Sequence, residues 1–139
     1  MTNDTSVNTG TIDDTIPKNV SRNIVVVDDE KGMRMLCGAI LEMEGHKVTE
    51  FSDAFSALPY FQEHKDIDYL ISDINMPGMS GIALAEKLYD SHKDTKKYLM
   101  TGLIDQPLKD RLDALKEKGV IHGYLAKPFK NDSLLNLIE

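Results

Sequence analysis

Short apolar runs alternate along this chain with segments whose apolar residues recur at helical spacing. Ile24-Val25-Val26-Val27 is wholly β-branched and short, the pattern of a strand buried on both faces. Met33, Leu36, Cys37, Ile40 and Leu41 then fall at i, i+3, i+4, i+7 and i+8, which predicts a helix, with Gly45 to end it. Lys47 to Phe51 reads as a second strand. Ser52 or Asp53 is placed to cap a second helix reaching about His64, with Pro59 expected to kink or shorten it. Asp68 to Ser72 is the third strand, followed by the loop Met76-Pro77-Gly78-Met79-Ser80-Gly81. Ile82, Ala85, Leu88 and Tyr89 share one face of a third helix, and Lys97 to Met100 is a fourth strand. A fourth helix from about Pro107 to Lys118 turns Leu108, Leu112 and Leu115 inward and closes at Gly119. Val120 to Leu125 is a fifth strand, and a last helix begins near Asn131 with Leu134, Leu135, Leu137 and Ile138.

Strand and helix alternating in this way predict an α/β, doubly wound parallel sheet covered by helices on both faces. A buried strand cannot carry charge in its middle, so polar residues gather where strands exit. Asp28 and Asp29 follow the first strand, Asp73 ends the third, Thr101 follows the fourth and Lys127 follows the fifth. In an open parallel sheet, ligands bind at such carboxyl ends, where the strand order reverses. An order of 2-1-3-4-5 sets strands one and three side by side there, so the polar residues converge on one crevice. Three carboxylates brought together repel unless a cation sits among them. The pattern therefore points to a divalent metal site with a carboxylate free for chemistry. Taken alone, Asp28-Asp29 is more readily a turn with a helix cap, and Thr101 is an ordinary residue after a strand.

Length and charge narrow the classes. The 139 residues make one domain. A net charge of −7 argues against nucleic-acid binding by this chain. A single cysteine excludes an internal disulfide and fits a reducing cytoplasm. No apolar stretch has a membrane-spanning length, and the polar start (Thr2, Asn3, Asp4, Thr5, Ser6) is not a signal peptide. Residues 1–22 read as a flexible polar extension and residues 23–139 as the folded domain. Cys37 and the methionines Met33, Met35 and Met43 read as packing residues. His46, His64, His92 and His122 have no ligand spacing and read as surface or edge positions.

The ordered set of Asp28-Asp29, Asp73 with Pro77 and Gly81 downstream, Thr101-Gly102 and Lys127-Pro128-Phe129 resembles the receiver domain of two-component response regulators, over about Asn23 to Glu139. The resemblance implies a flavodoxin-like five-stranded fold. It implies that Asp73 is the phosphorylated residue, a carboxylate nucleophile that takes a phosphoryl group from a phosphohistidine partner. Asp29 and Asp73 would ligate Mg²⁺, the carbonyl of Asn75 would be a third ligand, and Asp28 would act through metal-bound water. Lys127 and Thr101 would contact phosphoryl oxygens, and the Lys127–Pro128 bond would be cis. Thr101 and Tyr124 would form the switch that reshapes the surface of helix four, strand five and helix five. The partners implied are a sensor histidine kinase or histidine phosphotransfer protein, and an output domain or protein downstream.

Two rival readings stand beside this one. A phosphatase of the haloacid dehalogenase type also uses an Asp nucleophile and Mg²⁺, but wants Asp-x-Asp, and this chain has Asp28-Asp29-Glu30. A degenerate receiver would be a phosphate-independent protein-binding module, against which the full set Asp29, Asp73, Thr101 and Lys127 argues. The last helix is short for the family, which predicts a parent reading frame continuing past Glu139. Asn75 and Leu103, each two residues beyond Asp73 and Thr101, are expected to influence the lifetime of the phosphate.

Overall fold

The computed structural model describes residues 20–138, so the expected extension lies, up to residue 19, outside the described residues. In chain order the elements are β1 (Asn23–Val27), α1 (Lys31–Met43), β2 (Lys47–Phe51), α2 (Ala54–Glu63), β3 (Tyr69–Asp73), α3 (Gly81–Lys87), β4 (Lys96–Thr101), α4 (Gln106–Glu117), β5 (Gly123–Ala126) and α5 (Asn131–Leu135). The strands form one parallel sheet in the order β2-β1-β3-β4-β5, as expected.

Alternate residues of the central strands feed opposite cores. Val25, Val27 and Leu70 pack with Ala54, Ala57 and Phe61 of α2 and Leu84 of α3. Leu99 continues that face under α4 with Leu112 and Leu115. Ile24, Val26, Ile71 and Met100 face the other way, onto Cys37, Ile40 and Leu41 of α1 and Leu134 of α5. Burial on both faces explains why Ile24–Val27 of β1 has no polar position, and each such Val, Ile or Leu contributes about 1.5–3 kcal/mol. Asp53, Ser80 and Asp105 cap α2, α3 and α4 by accepting the backbone N–H of Ser56, Ala83 and Leu108. Gly45 and Gly119 close α1 and α4 at φ of +90° and +82°.

The structure narrows several sequence expectations. Leu36 is 48% exposed, because it sits about 100° around α1 from the buried Cys37 and overshoots the sheet. Met35 and Met43 are also on the outer side, Met43 at 84% exposure, and Tyr89, two residues past the end of α3, is exposed rather than on its buried face. Only Met33 of the three methionines packs against the core. His92 is not a surface residue: at 4% exposure its Nε2 pairs with the His64 carbonyl at 3.0 Å, its Nδ1 with the Ser91 hydroxyl at 2.8 Å, and its ring meets Phe61 edge-on. Val120 and Ile121 precede β5 rather than belonging to it, since their N–H groups turn back to the Leu115 carbonyl while both side chains enter the core.

Candidate functional site

All five strands run the same way, so their carboxyl ends share one edge of the sheet. β1 and β3 are neighbours there in register, Val27 beside Ser72, which delivers Asp28-Asp29 and Asp73 to the same point. One carboxylate oxygen from each of Asp28, Asp29 and Asp73 lies within 4.8 Å of the others. Asp28 is fully buried, Asp73 is 6% exposed and Asp29 faces solvent.

One lysine answers this charge. β5 ends at Ala126, opposite Thr101 of β4, and Lys127 follows with a cis bond to Pro128. The Lys127 N–H donates to the Thr101 carbonyl at 2.8 Å. Its Nζ reaches Asp28 Oδ2 at 2.8 Å, Asp73 Oδ1 at 3.3 Å and Glu30 Oε1 at 3.4 Å. Burial works against the Lys127 charge, but the hydrogen bond and proximity to Asp28, followed by those to Asp73, hold its pKa above the ordinary value. Asp73 is pushed up to about 6, chiefly by burial; Lys127 opposes the shift, and Asp28 and Asp29 add to it by repulsion. One ammonium therefore leaves the cluster short of positive charge. An all-oxygen donor set with surplus negative charge suits a hard divalent cation such as Mg²⁺.

The backbone around Asp73 is set by small residues. The Ser72 hydroxyl donates to the Asp73 carbonyl at 2.9 Å, and the Gly81 N–H closes the loop onto the Ile74 carbonyl at 3.0 Å. A Cβ on Gly81 would collide with the Asp73 carbonyl, so α3 starts this close only because residue 81 has no side chain. Asn75 lies in that loop, exposed, two residues past the end of β3.

Thr101 and Tyr124 are near neighbours in the sheet but do not touch the acids. Thr101 is buried, and its hydroxyl donates to the Leu103 carbonyl at 3.2 Å. Tyr124 pairs with Leu99 across β4 and β5. Its hydroxyl donates outward to Asp113 Oδ1 on α4 at 2.9 Å, and Asp113 is also paired with Lys109 at 2.9 Å.

Two residues at the site escaped the sequence reading. Glu30, directly after the acid pair, adds a third carboxylate to Lys127. Arg34 Nη1 donates to the Asp28 carbonyl at 2.7 Å. The available signal was positional: both belong to the segment that leads from β1 into the first turn of α1. Cys37, beneath the site, is the inert core residue expected, its thiol pushed up to about 12 by burial and then by Asp28.

Residues 24–139 match the family model of the response regulator receiver domain. The response regulator receiver protein CpdR of Brucella abortus is 34% identical, over 85% of this chain and 94% of CpdR. The transcriptional regulatory protein FixJ of Bradyrhizobium diazoefficiens is also 34% identical, over 84% of this chain but 55% of FixJ. The chain thus spans nearly all of one relative and about half of the other. The chemotaxis response regulator CheY4 of Vibrio cholerae superposes with a TM-score of 0.74 at 27% identity, covering 86% of this chain and 97% of CheY4. The response regulator TrrA of Thermotoga maritima, solved in complex with Mg²⁺-BeF, superposes with a TM-score of 0.73 at 30% identity, covering 84% of this chain and 96% of TrrA. With the acid crevice, the sheet order and these matches in agreement, the chain belongs to the response regulator receiver domain family of two-component signalling.

Proposed function

We propose that this chain is a phosphorylation-activated switch in which Asp73 accepts a phosphoryl group from a phosphohistidine on a sensor histidine kinase or histidine phosphotransfer protein. The observation that carries the reading is the junction of three carboxylates within 4.8 Å with one lysine bridging Asp28 and Asp73. An Asp73 carboxylate oxygen attacks phosphorus, the phosphorus–nitrogen bond breaks, and the departing imidazole takes up a proton. Asp73 must be ionised to attack; burial, which raises its pKa to about 6, works against this, and the Lys127 charge favours it. Lys127 then exchanges its Asp73 contact for a phosphoryl oxygen.

Receiver domains typically use Mg²⁺, and the donor set here fits it. Asp29 and Asp73 would hold the ion with the Asn75 carbonyl, and Asp28 would act through bound water. The ion supplies neutralisation of the charge that builds on the phosphoryl oxygens. Thr101 is the sensor: its hydroxyl leaves the Leu103 carbonyl for the new phosphoryl group. Tyr124 then leaves Asp113 and turns inward, which reshapes α4, β5 and α5 for an output domain or protein. Such a relay belongs in the cytoplasm, and no helix among the described residues is long and apolar enough to cross a membrane.

Incubation with acetyl phosphate and Mg²⁺, followed by intact-mass measurement, tests the reading. One phosphoryl adduct on wild type and none on Asp73→Asn is the expected result. An unmodified wild type would instead favour a phosphate-independent binding module, and an undiminished adduct on Asp73→Asn would remove Asp73 from its role.

A further inference from the structure

We infer that Arg34 is a positioning residue, held by Glu50, that sets the Mg²⁺ affinity of the acid site through the backbone of Asp28; the inference rests on the metal reading above. Asp28 is fully buried, and hydrogen bonds to its peptide groups hold the backbone from which its carboxylate faces the site. Its N–H donates to the Phe51 carbonyl at the end of β2, at 3.1 Å. Its carbonyl accepts the Arg34 guanidinium at 2.7 Å, a charge-assisted bond. The far side of that guanidinium faces Glu50 on β2, with Nε 3.8 Å from Oε1. Both peptide groups of Asp28 are thereby anchored to the edge strand, one directly and one through Arg34. The carboxylate in front accepts the Glu30 N–H at 2.9 Å and Lys127 Nζ at 2.8 Å.

The path for Glu50 across α1 is open because residue 38 is glycine. Gly38 is buried against the Glu50 carboxylate, and a Cβ there would collide with Glu50 Oε2. Glu50 is the flexible end of that contact, so a side chain at position 38 displaces it from Arg34 rather than breaking the helix. Gly38, Glu50, Arg34 and the Asp28 carbonyl thus form one chain of contacts leading into the metal site.

The direction of the effect separates positioning from charge. Arg34 is a cation close to a cation site, so a purely electrostatic role requires Mg²⁺ to bind more tightly once it is removed. Positioning requires the opposite, because Asp28, which would hold the ion's bound water, loses its placement, and removing outer groups that orient a metal site typically alters affinity about tenfold or more. Mg²⁺ affinity is read from NMR titration of the acid-loop amides and from the urea midpoint as a function of Mg²⁺ concentration. We expect Arg34→Met to raise the Kd about tenfold, Arg34→Lys to recover part of the loss, and Glu50→Gln to raise the Kd about threefold. Gly38→Ala should raise the Kd as Glu50→Gln does, without lowering metal-free stability, since alanine is the better helix former. A wild type that binds Mg²⁺ while Arg34→Met, or both Glu50→Gln and Gly38→Ala, bind it equally or more tightly overturns the brace alone. A wild type with no response to Mg²⁺ overturns the metal reading and the brace with it.

Discussion

Replacing Asp73 by asparagine should stabilise the metal-free protein, and the size of the gain should depend on pH. Asp73 is raised from 3.8 to about 6, led by burial, against the pull of Lys127. Below pH 3.8 the group is protonated in both the folded and unfolded chain and costs nothing. As pH rises from about 4 to about 6 the unfolded chain gives up a proton that the folded chain retains, so stability falls through that window and is flat above it. A difference of about two pKa units at about 1.36 kcal/mol each gives a ceiling of ~3 kcal/mol. Asparagine keeps the shape and removes the charge, and Lys127 retains Asp28 and Glu30 as partners. The expected gain is therefore about 1–3 kcal/mol at pH 7.5, or a Tm rise of roughly 4–12 °C. At pH 4 the gain should vanish. Asp53 and Asp113, held low chiefly by the Ser56 N–H and by Lys109, titrate below this window and do not mask it. Urea denaturation in EDTA at both pH values measures the gain, and excess Mg²⁺ at pH 7.5 should close most of the gap by stabilising wild type alone. Equal stabilities at pH 7.5, or the same gain at both pH values, would refute the claim that a buried, under-compensated charge sits at Asp73.

Two further outcomes follow from contacts at the site. Gly81→Ala must push α3 away from the Asp73 carbonyl, so it should cost about 1–3 kcal/mol and slow phosphoryl uptake from acetyl phosphate; an unchanged urea midpoint would show that the close approach is not needed. Asp113→Ala removes the acceptor that keeps Tyr124 outward, so the inward ring should be populated a few-fold more without phosphate; aromatic-ring NMR of Tyr124 that is unaltered would discount the latch.

Much of the fold was legible because burial writes directly into sequence. The middles of β1 and β3 are covered on both faces, so Ile24–Val27 and Tyr69–Ile71 read as apolar runs, and the assumed order 2-1-3-4-5, which brings the acids together, is the one the sheet adopts. Element ends were less legible. Val120 and Ile121 look like strand residues, yet their N–H groups serve the C-terminus of α4. Leu36 belongs to the periodic apolar stripe of α1 yet is half exposed, because the stripe is wider than the face that meets the sheet, and the apolar Met35 and Met43 lie outside it. His92 is buried because the chain turns back there between α3 and β4 and sets its ring against the His64 carbonyl, 28 residues away, beside the adjacent Ser91 hydroxyl.

The site divides along the same line. Sequence alone determined which groups could gather, since charge excluded from strand interiors must appear at strand ends: Asp28, Asp29, Asp73, Thr101 and Lys127. Only the tertiary structure decided how they are held. Lys127 spans 99 residues of sequence to reach Asp28, and Arg34 and Glu50 come from different elements to fix the carbonyl behind it. Neither pairing carries a local pattern, because a contact between distant segments is chosen by the packing of α1 and the sheet and not by the neighbours of either residue along the chain.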